Sequence, residues 1–219
     1  MGHIQSITVF CGSRDGNSEV YADIAQQTGK MLAEEGLTTL YGGGSSGLMG
    51  RVAKGARDAG GEVRGIAPRV FEDAAKKSPS GVNLMFTPDM AERKHHLIAD
   101  AQVTISLSGG IGTLDEIAET LMFNYLEIIK EDNPIIRPVL LIDPDDLYVP
   151  LIAFLQASVE RGLSDASVME TIVRVQSVEE ARAKIREWQK NPLRVSLAQM
   201  PEMEASGSTT PPQRRGWQP

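Results

Sequence analysis

The chain has 219 residues, of which 41% are hydrophobic and 23% are charged, and its formal net charge is −7. This length and composition are typical of one soluble domain that is long enough to bury a core. The acidic balance argues against duplex nucleic acid as a partner, because phosphate-backbone binding requires a basic surface. A small anionic ligand stays compatible with it, since local backbone amides bind phosphate even on an acidic protein.

The sequence contains a single cysteine, Cys11, so an intrachain disulfide is excluded and a reducing cytoplasm is indicated. Cys11 ends the apolar run that starts at Ile7, and we expect it to be a buried residue at a strand end. No run approaches the about 20 apolar residues of a membrane span. The N-terminus also lacks the pattern of a signal peptide. We therefore expect a cytoplasmic protein that does not bind membranes.

Short apolar runs recur along the chain, and seven of them predict β-strands. The predicted strands are Ile7–Cys11, Thr38–Tyr41, Glu62–Ile66, Val82–Phe86, Val103–Leu107, Pro138–Ile142 and, from a weaker pattern, Ile172–Val175. Because these runs are almost continuously apolar, both faces of the sheet should be covered, as in parallel sheets.

Apolar residues at helical spacing lie between these runs. They predict helices at Val20–Leu32, Leu48–Ala56, Met90–Ala99, Leu114–Lys130, Pro150–Arg161 and Val178–Lys190. Alternating strands and helices predict an α/β fold, a Rossmann-like three-layer αβα sandwich with a mostly parallel, roughly seven-stranded sheet. We expect one nucleotide-binding domain in residues 1–190. Residues 191–219 are rich in Pro, Ser, Thr and Gln and predict a flexible tail.

Three glycine-rich segments, Cys11–Ser18, Tyr41–Gly50 and Leu107–Thr113, each follow a predicted strand and precede a predicted helix. Glycine lets backbone amides approach a phosphate closely, although every connection of this type also needs a tight turn. Three such loops at the same edge of a sheet favour a binding site. None has the Gly-Lys-Ser/Thr of a P-loop, and none has the dinucleotide fingerprint. The pattern indicates a mononucleotide phosphate site.

Gly109–Glu116 resembles the Pro-Gly-Gly-x-Gly-Thr-x-x-Glu signature of the Lonely Guy family, the cytokinin riboside 5′-monophosphate phosphoribohydrolases formerly labelled lysine decarboxylases. Val9–Ser13, Tyr41–Gly50 and Met90–Lys94 resemble three further family segments in the same order. The resemblance covers roughly residues 4 to 190. The chain departs from the signature at Ser108, where the family has proline, and it has Asp115-Glu116 where the family has two glutamates.

The resemblance implies hydrolysis of the N-glycosidic bond of AMP or isopentenyl-AMP, with catalytic roles for Glu116 and Arg93. It also implies a set of substrate- or phosphate-binding residues: Ser13, Gly43, Met90, Lys94, Gly109, Gly110, Gly112 and Thr113. For several of these residues, a structural role without any ligand is the alternative. A first-turn acid suits a helix dipole, Arg93 and Lys94 also suit a solvated helix face, and a methionine at helical spacing is often core.

The resemblance further implies a homodimer or a higher homo-oligomer, with the apolar segment Ile117–Phe123 as one candidate contact. No cofactor is expected. No metal is expected either, because His95 and His96 lack further ligands at matching spacing. The alternative function is a non-catalytic nucleotide sensor or carrier on the same fold. Decarboxylation is disfavoured, since no lysine lies in a recognisable pyridoxal phosphate context.

Overall fold

The computed structural model describes residues 4–77, 81–130 and 134–195. These residues form a seven-stranded sheet in which every strand pair is parallel, which confirms the predicted α/β class. The strands are β1 (Ser6–Phe10), β2 (Thr38–Tyr41), β3 (Val63–Pro68), β4 (Val82–Thr87), β5 (Val103–Ser106), β6 (Val139–Ile142) and β7 (Ile172–Val175).

Helices cover both faces of this sheet. They are α1 (Glu19–Glu34), α2 (Gly47–Asp58), α3 (Glu72–Ala75), α4 (Met90–Ala99), α5 (Ile111–Lys130), α6 (Val149–Glu160), α7 (Ser167–Glu170) and α8 (Val178–Lys190). Side chains alternate along β1, so that Ile7 and Val9 pack with α1, α2 and α8, whereas Phe10 packs with α4. α6 and α5 pack together over β6 on the same face as α4. The arrangement is the predicted three-layer sandwich.

Across the sheet the strands lie in the order β4-β3-β2-β1-β5-β6-β7. The side of the sheet on which the chain adds strands therefore changes between β1 and β5. The chain first builds outward from β1 to β4 and then returns to place β5 on the other side of β1. Ligands of open parallel sheets bind in the crevice that such a reversal leaves at the carboxyl ends of the strands. The loops after β1 and β5 therefore lie where this rule locates a site.

The structure differs from the sequence prediction in a few elements. α5 begins at Ile111 instead of Leu114, because the N–H of Leu114 already donates to the carbonyl of Gly110 at 3.0 Å. The predicted start was wrong because glycine and threonine are poor helix formers. The short helices α3 and α7 were also not predicted. α8 ends at Lys190, but the predicted tail lies outside the described residues from position 196 onward.

Candidate functional site

Two of the predicted glycine loops meet at the point where the strand order reverses. The backbone N–H of Gly12, after β1, donates a 3.1 Å hydrogen bond to the carbonyl oxygen of Ser108, after β5. A Cβ atom added to Gly12 would lie 3.6 Å from the Cα of Gly109. The backbones of the two loops are therefore in direct contact, as expected for adjacent parallel strands that end at the same edge.

The remaining glycine loop, between β2 and α2, packs against the loop that follows β1. Gly47 has a φ of +60°, and a Cβ there would lie 2.3 Å from the carbonyl oxygen of Ser13. Atoms do not approach so closely, so a glycine is needed at this position for both its conformation and its contact. The sequence prediction that the three loops share one end of the sheet is confirmed.

The loops surround an open cavity of about 660 Å³. This volume lies within the range of small-molecule sites, which is roughly 300–1,000 Å³. Eight of the ten residues expected in the site line it, namely Ser13, Met90, Arg93, Gly109, Gly110, Gly112, Thr113 and Glu116. Met90 is 44% exposed, so it belongs to the cavity wall and not to the core.

The first turn of α5 forms one wall of this cavity. A Cβ on Gly109 would lie 2.1 Å from the Thr113 Oγ1, so this glycine lets the loop fold back onto the helix. Gly110 and Gly112 have no neighbouring atom within 4 Å of such a Cβ. Their backbone faces open space at the N-terminus of a 20-residue helix, where free N–H groups and the helix dipole favour an anion.

Arg93 on α4 and Glu116 on α5 form a buried ion pair at the cavity wall. The Arg93 Nη1 donates to the Glu116 Oε1 at 2.9 Å, and each residue is only 8% exposed. The Arg93 Nε also donates to the carbonyl oxygen of Ile66 at 3.1 Å. A Cβ on Gly42 would lie 2.2 Å from the Arg93 Nη2, so the glycine after β2 leaves room for the guanidinium.

Burial raises the pKa of Glu116, and this is the dominant influence on it. The charge of Arg93 and its hydrogen bond oppose that rise, as does the more distant charge of Lys94, whereas Asp115 adds to it. A raised pKa makes the Glu116 carboxylate a stronger proton acceptor than an exposed carboxylate. Its negative form also stabilises a positive charge that develops beside it.

Lys94 and Gly43 lie outside the group of residues that line the cavity. The Lys94 Nζ contacts an Asp115 carboxylate oxygen at 2.9 Å and a Glu119 carboxylate oxygen at 2.5 Å. These hydrogen bonds hold the pKa of Lys94 above its ordinary value, and the bond to Glu119 has the largest effect. The Lys94 ammonium thus fastens α4 to α5. Gly43 has a φ of +74° and supports the turn behind the cavity.

Four residues that line the cavity or contact residues of the site were not predicted from the sequence. Arg14 follows Ser13 directly and lines the cavity. Gly42 gives Arg93 its space, Glu119 binds Lys94, and Tyr148 contacts the loop after β5. Arg14 carried a detectable signal, since it is a cation in a glycine loop. Tyr148 carried none, because it lies at the edge of an apolar run.

Cys11 is buried, as expected from its place at a strand end, and burial raises the pKa of its thiol. The thiol is therefore not a reactive thiolate. Across residues 4–77, 81–130 and 134–195, histidine, cysteine, aspartate and glutamate side chains do not gather into groups of three that would hold a metal ion. In the same ranges, none of the helices combines the length and apolar character that crossing a membrane requires.

The chain is similar in sequence to known proteins. The model of a protein family described as "Possible lysine decarboxylase" matches residues 49–185. The "Probable cytokinin riboside 5′-monophosphate phosphoribohydrolase LOGL1" of Oryza sativa subsp. japonica is 32% identical over 206 residues, which are 94% of this chain and 90% of the rice protein. The chain belongs to the Lonely Guy family. The "Cytokinin riboside 5′-monophosphate phosphoribohydrolase" of Rhodococcoides fascians is 30% identical, covering 83% of this chain and 89% of that protein.

A solved structure shares the fold of this Lonely Guy protein. The molybdenum cofactor binding protein from Rippkaea orientalis superimposes with a TM-score of 0.64 over 85% of this chain and 98% of that one. The two sequences are 23% identical, so the similarity concerns the fold alone.

This Lonely Guy protein has Ser108 where the family signature has proline. Ser108 is 8% exposed, and its carbonyl oxygen accepts the hydrogen bond from Gly12. The carbonyl oxygen of the preceding residue, Leu107, accepts a 2.5 Å hydrogen bond from the Tyr148 hydroxyl. Proline restricts a turn by fixing φ, whereas here hydrogen bonds on two successive carbonyls hold it.

Proposed function

We propose that this protein hydrolyses the N-glycosidic bond of adenosine 5′-monophosphates, including N6-substituted ones, and releases the free base and ribose 5-phosphate. The observation that carries the proposal is the buried Arg93–Glu116 pair beside the open N-terminus of α5, in one cavity. A phosphate at that N-terminus would leave the ribose within reach of the pair. The names of the rice and R. fascians relatives support the substrate class.

The proposed reaction adds water across one bond. The bond between the anomeric carbon and the base nitrogen breaks, and its electron pair leaves with the base. Positive charge develops on the ribose ring, and the Glu116 carboxylate stabilises it. Glu116 then accepts a proton from the attacking water, whose oxygen bonds to the anomeric carbon, and passes that proton to the base. The reaction therefore consumes one water, and the Glu116 carboxylate is regenerated at its end.

Arg93 has two proposed functions in this scheme. Its hydrogen bonds to Glu116 and to the carbonyl of Ile66 fix the carboxylate in one orientation. Its charge also favours the ionised carboxylate and so opposes the effect of burial on the pKa of Glu116. Ser13, Met90 and the amides of Gly109–Thr113 are proposed to hold the nucleotide, since they line the same cavity.

The alternative, a non-catalytic nucleotide carrier, is less well supported. A carrier needs a phosphate site but does not need a buried carboxylate beside the ribose. Burying such a charge is unfavourable, so its retention favours a chemical role.

The decisive experiment incubates the purified protein separately with AMP and isopentenyl-AMP and measures free base and ribose 5-phosphate. We expect release of both products in equal amounts. Glu116→Gln keeps the shape of the side chain and should slow release about 10²-fold to 10⁴-fold, with nucleotide binding kept. Absence of base release from both nucleotides, with binding intact, would favour the carrier.

We also propose that the protein forms a homodimer or a higher homo-oligomer through α5 and α6. These neighbouring helices leave large apolar side chains exposed, among them Met122, Ile129 and Phe154. Large apolar side chains exposed on neighbouring helices are typical of surfaces that contact other proteins. Phe154→Glu should therefore lower the mass measured by light scattering, whereas Val20→Glu, on the opposite face, should not. A monomeric wild-type protein would refute the proposal.

Two broader expectations also remain proposals. The catalytic domain is proposed to occupy residues 1–190, because the last described helix ends at Lys190. A cytoplasmic location is proposed because Cys11, the single cysteine, is a free and buried thiol. Limited proteolysis tests the bounds of the domain, and cell fractionation tests the cytoplasmic location.

A further inference from the structure

Arg14 lies in the loop that follows β1 and lines the proposed nucleotide cavity. It is exposed. Its neighbour Asp15 is the nearest acid in sequence, but the Asp15 carboxylate is bound by the Arg51 Nε at 3.2 Å. Among the described residues, Asp15 therefore forms its salt bridge with Arg51 and not with Arg14.

The charges that line the cavity leave Arg14 as the cation with no counterion. The lining contains Arg14, Arg93, Asp115 and Glu116 as charged side chains. Arg93 is paired with Glu116 at 2.9 Å, and Asp115 is paired with Lys94 at 2.9 Å. Within the described part of the chain, Arg14 takes part in none of the salt bridges, so its charge is available to a ligand.

The backbone around Arg14 is held against the phosphate loop. A Cβ on Gly12 would lie 3.4 Å from the Arg14 carbonyl oxygen and 3.5 Å from that of Ser108. On the other side, a Cβ on Gly47 would lie 2.7 Å from the Arg14 backbone nitrogen. Arg14 is therefore anchored between two glycine loops, next to the N-terminus of α5.

We propose that Arg14 is a specificity-determining residue that binds the 5′-phosphate and makes the protein select nucleotides over nucleosides. This inference rests on the proposed function. A phosphate monoester carries about −1.5 to −2 charges at neutral pH, whereas a helix N-terminus supplies only about half a positive charge. The fork of an arginine matches the remaining charge and binds two phosphate oxygens at once.

The test measures hydrolysis of AMP and adenosine by wild type, Arg14→Gln and Arg14→Lys. For AMP, Arg14→Gln should raise KM about 10-fold to 100-fold and change kcat little, because a charged hydrogen-bonding group is lost. For adenosine, KM should not change. Arg14→Lys keeps the charge but lacks the forked guanidinium. Its KM for AMP should therefore lie between those of wild type and Arg14→Gln. Arg64→Gln, an exposed arginine paired with Glu62, is the matched control.

Calorimetry separates this inference from the proposed function, because binding is measured whether or not hydrolysis occurs. In the Glu116→Gln background, Arg14→Gln should weaken AMP and ribose 5-phosphate about 10-fold or more and leave adenosine unchanged. Equal losses for AMP and adenosine, or unchanged AMP affinity, would overturn the role of Arg14. Hydrolysis that is absent in wild type while AMP affinity falls in Arg14→Gln would overturn the catalytic proposal and keep this one.

Discussion

The hydroxyl of Tyr148 donates a 2.5 Å hydrogen bond to the carbonyl oxygen of Leu107, the residue before Ser108. Tyr148 is 6% exposed, and burial raises the pKa of its hydroxyl, so the group stays protonated and remains a donor. Its backbone N–H donates to the buried Asp143 carboxylate at 3.1 Å, and the same carboxylate oxygen accepts from the Arg174 Nε at 2.6 Å. A buried network after β6 therefore supports the glycine loop after β5.

Tyr148→Phe tests this support. The variant keeps the ring but leaves the buried Leu107 carbonyl without its donor, which costs about 1–3 kcal/mol of stability. We expect a lower Tm and, because the loop is less ordered, a higher KM for AMP. Tyr125→Phe is the control, since Tyr125 is only half-buried on α5. Thermal unfolding and steady-state kinetics measure the two effects. A KM equal to that of wild type would show that the loop holds its shape without Tyr148.

The pH dependence of the reaction follows from the pair of Arg93 and Glu116. In the proposed mechanism Glu116 acts as a carboxylate, so kcat/KM should fall as the pH drops through its pKa. Burial raises that pKa, and Arg93 lowers it. Replacing Arg93 by methionine removes the opposing attraction, so the pKa of Glu116 should rise further. The acidic limb of the pH profile should then move to higher pH, and activity at neutral pH should drop about 10²-fold.

Lys94→Met is the graded comparison for that experiment. Lys94 also lowers the pKa of Glu116, but its charge is the smallest of the influences on it. The acidic limb of the Lys94→Met profile should therefore also move to higher pH, but by less than that of Arg93→Met. A profile for Arg93→Met whose acidic limb stays in place, or moves to lower pH, would contradict the assignment of that limb to Glu116.

Much of the fold and part of the site were predictable from the sequence. Continuous apolar strands imply a parallel sheet, and glycine loops after parallel strands must share one edge, which brought the loops around Gly12 and Gly109 together. The distance and burial of the contact between Arg93 and Glu116 were not predictable, because they depend on how α4 and α5 pack. The same packing pairs Lys94 with Asp115 and Glu119, and Lys94 itself does not line the cavity. The spacing of residues along the sequence does not indicate which of these side chains come into contact.

The glycines of the loop after β5 should respond differently to alanine. In Gly109→Ala the Cβ would lie 2.1 Å from the Thr113 Oγ1 and 3.1 Å from the Gly12 nitrogen, so the loops must separate. We expect a lower Tm and loss of most activity. Gly112→Ala meets no atom within 4 Å and lies inside α5, where alanine is favoured over glycine by about 1 kcal/mol. Its Tm should be equal or higher.

Gly112→Ala also reports on the ligand. Its Cβ would occupy open space in the cavity wall. If phosphate binds there, the variant should be stable and yet have a raised KM for AMP. A stable Gly112→Ala protein with the wild-type KM would place the phosphate away from this turn.

Gly42 and Arg93 should be energetically coupled. A Cβ on Gly42 would lie 2.2 Å from the Arg93 Nη2, so Gly42→Ala should displace the guanidinium and lower kcat/KM about 10-fold or more. Arg93→Lys removes that terminal nitrogen, and Gly42→Ala should then cost much less. A double-mutant cycle on kcat/KM should yield a coupling energy of about 0.5–3 kcal/mol, which is the range of residues in contact. Additive effects of the two substitutions would mean that Gly42 does not act through Arg93. Thermal unfolding of all four proteins checks that the loss of activity is not a loss of folded protein.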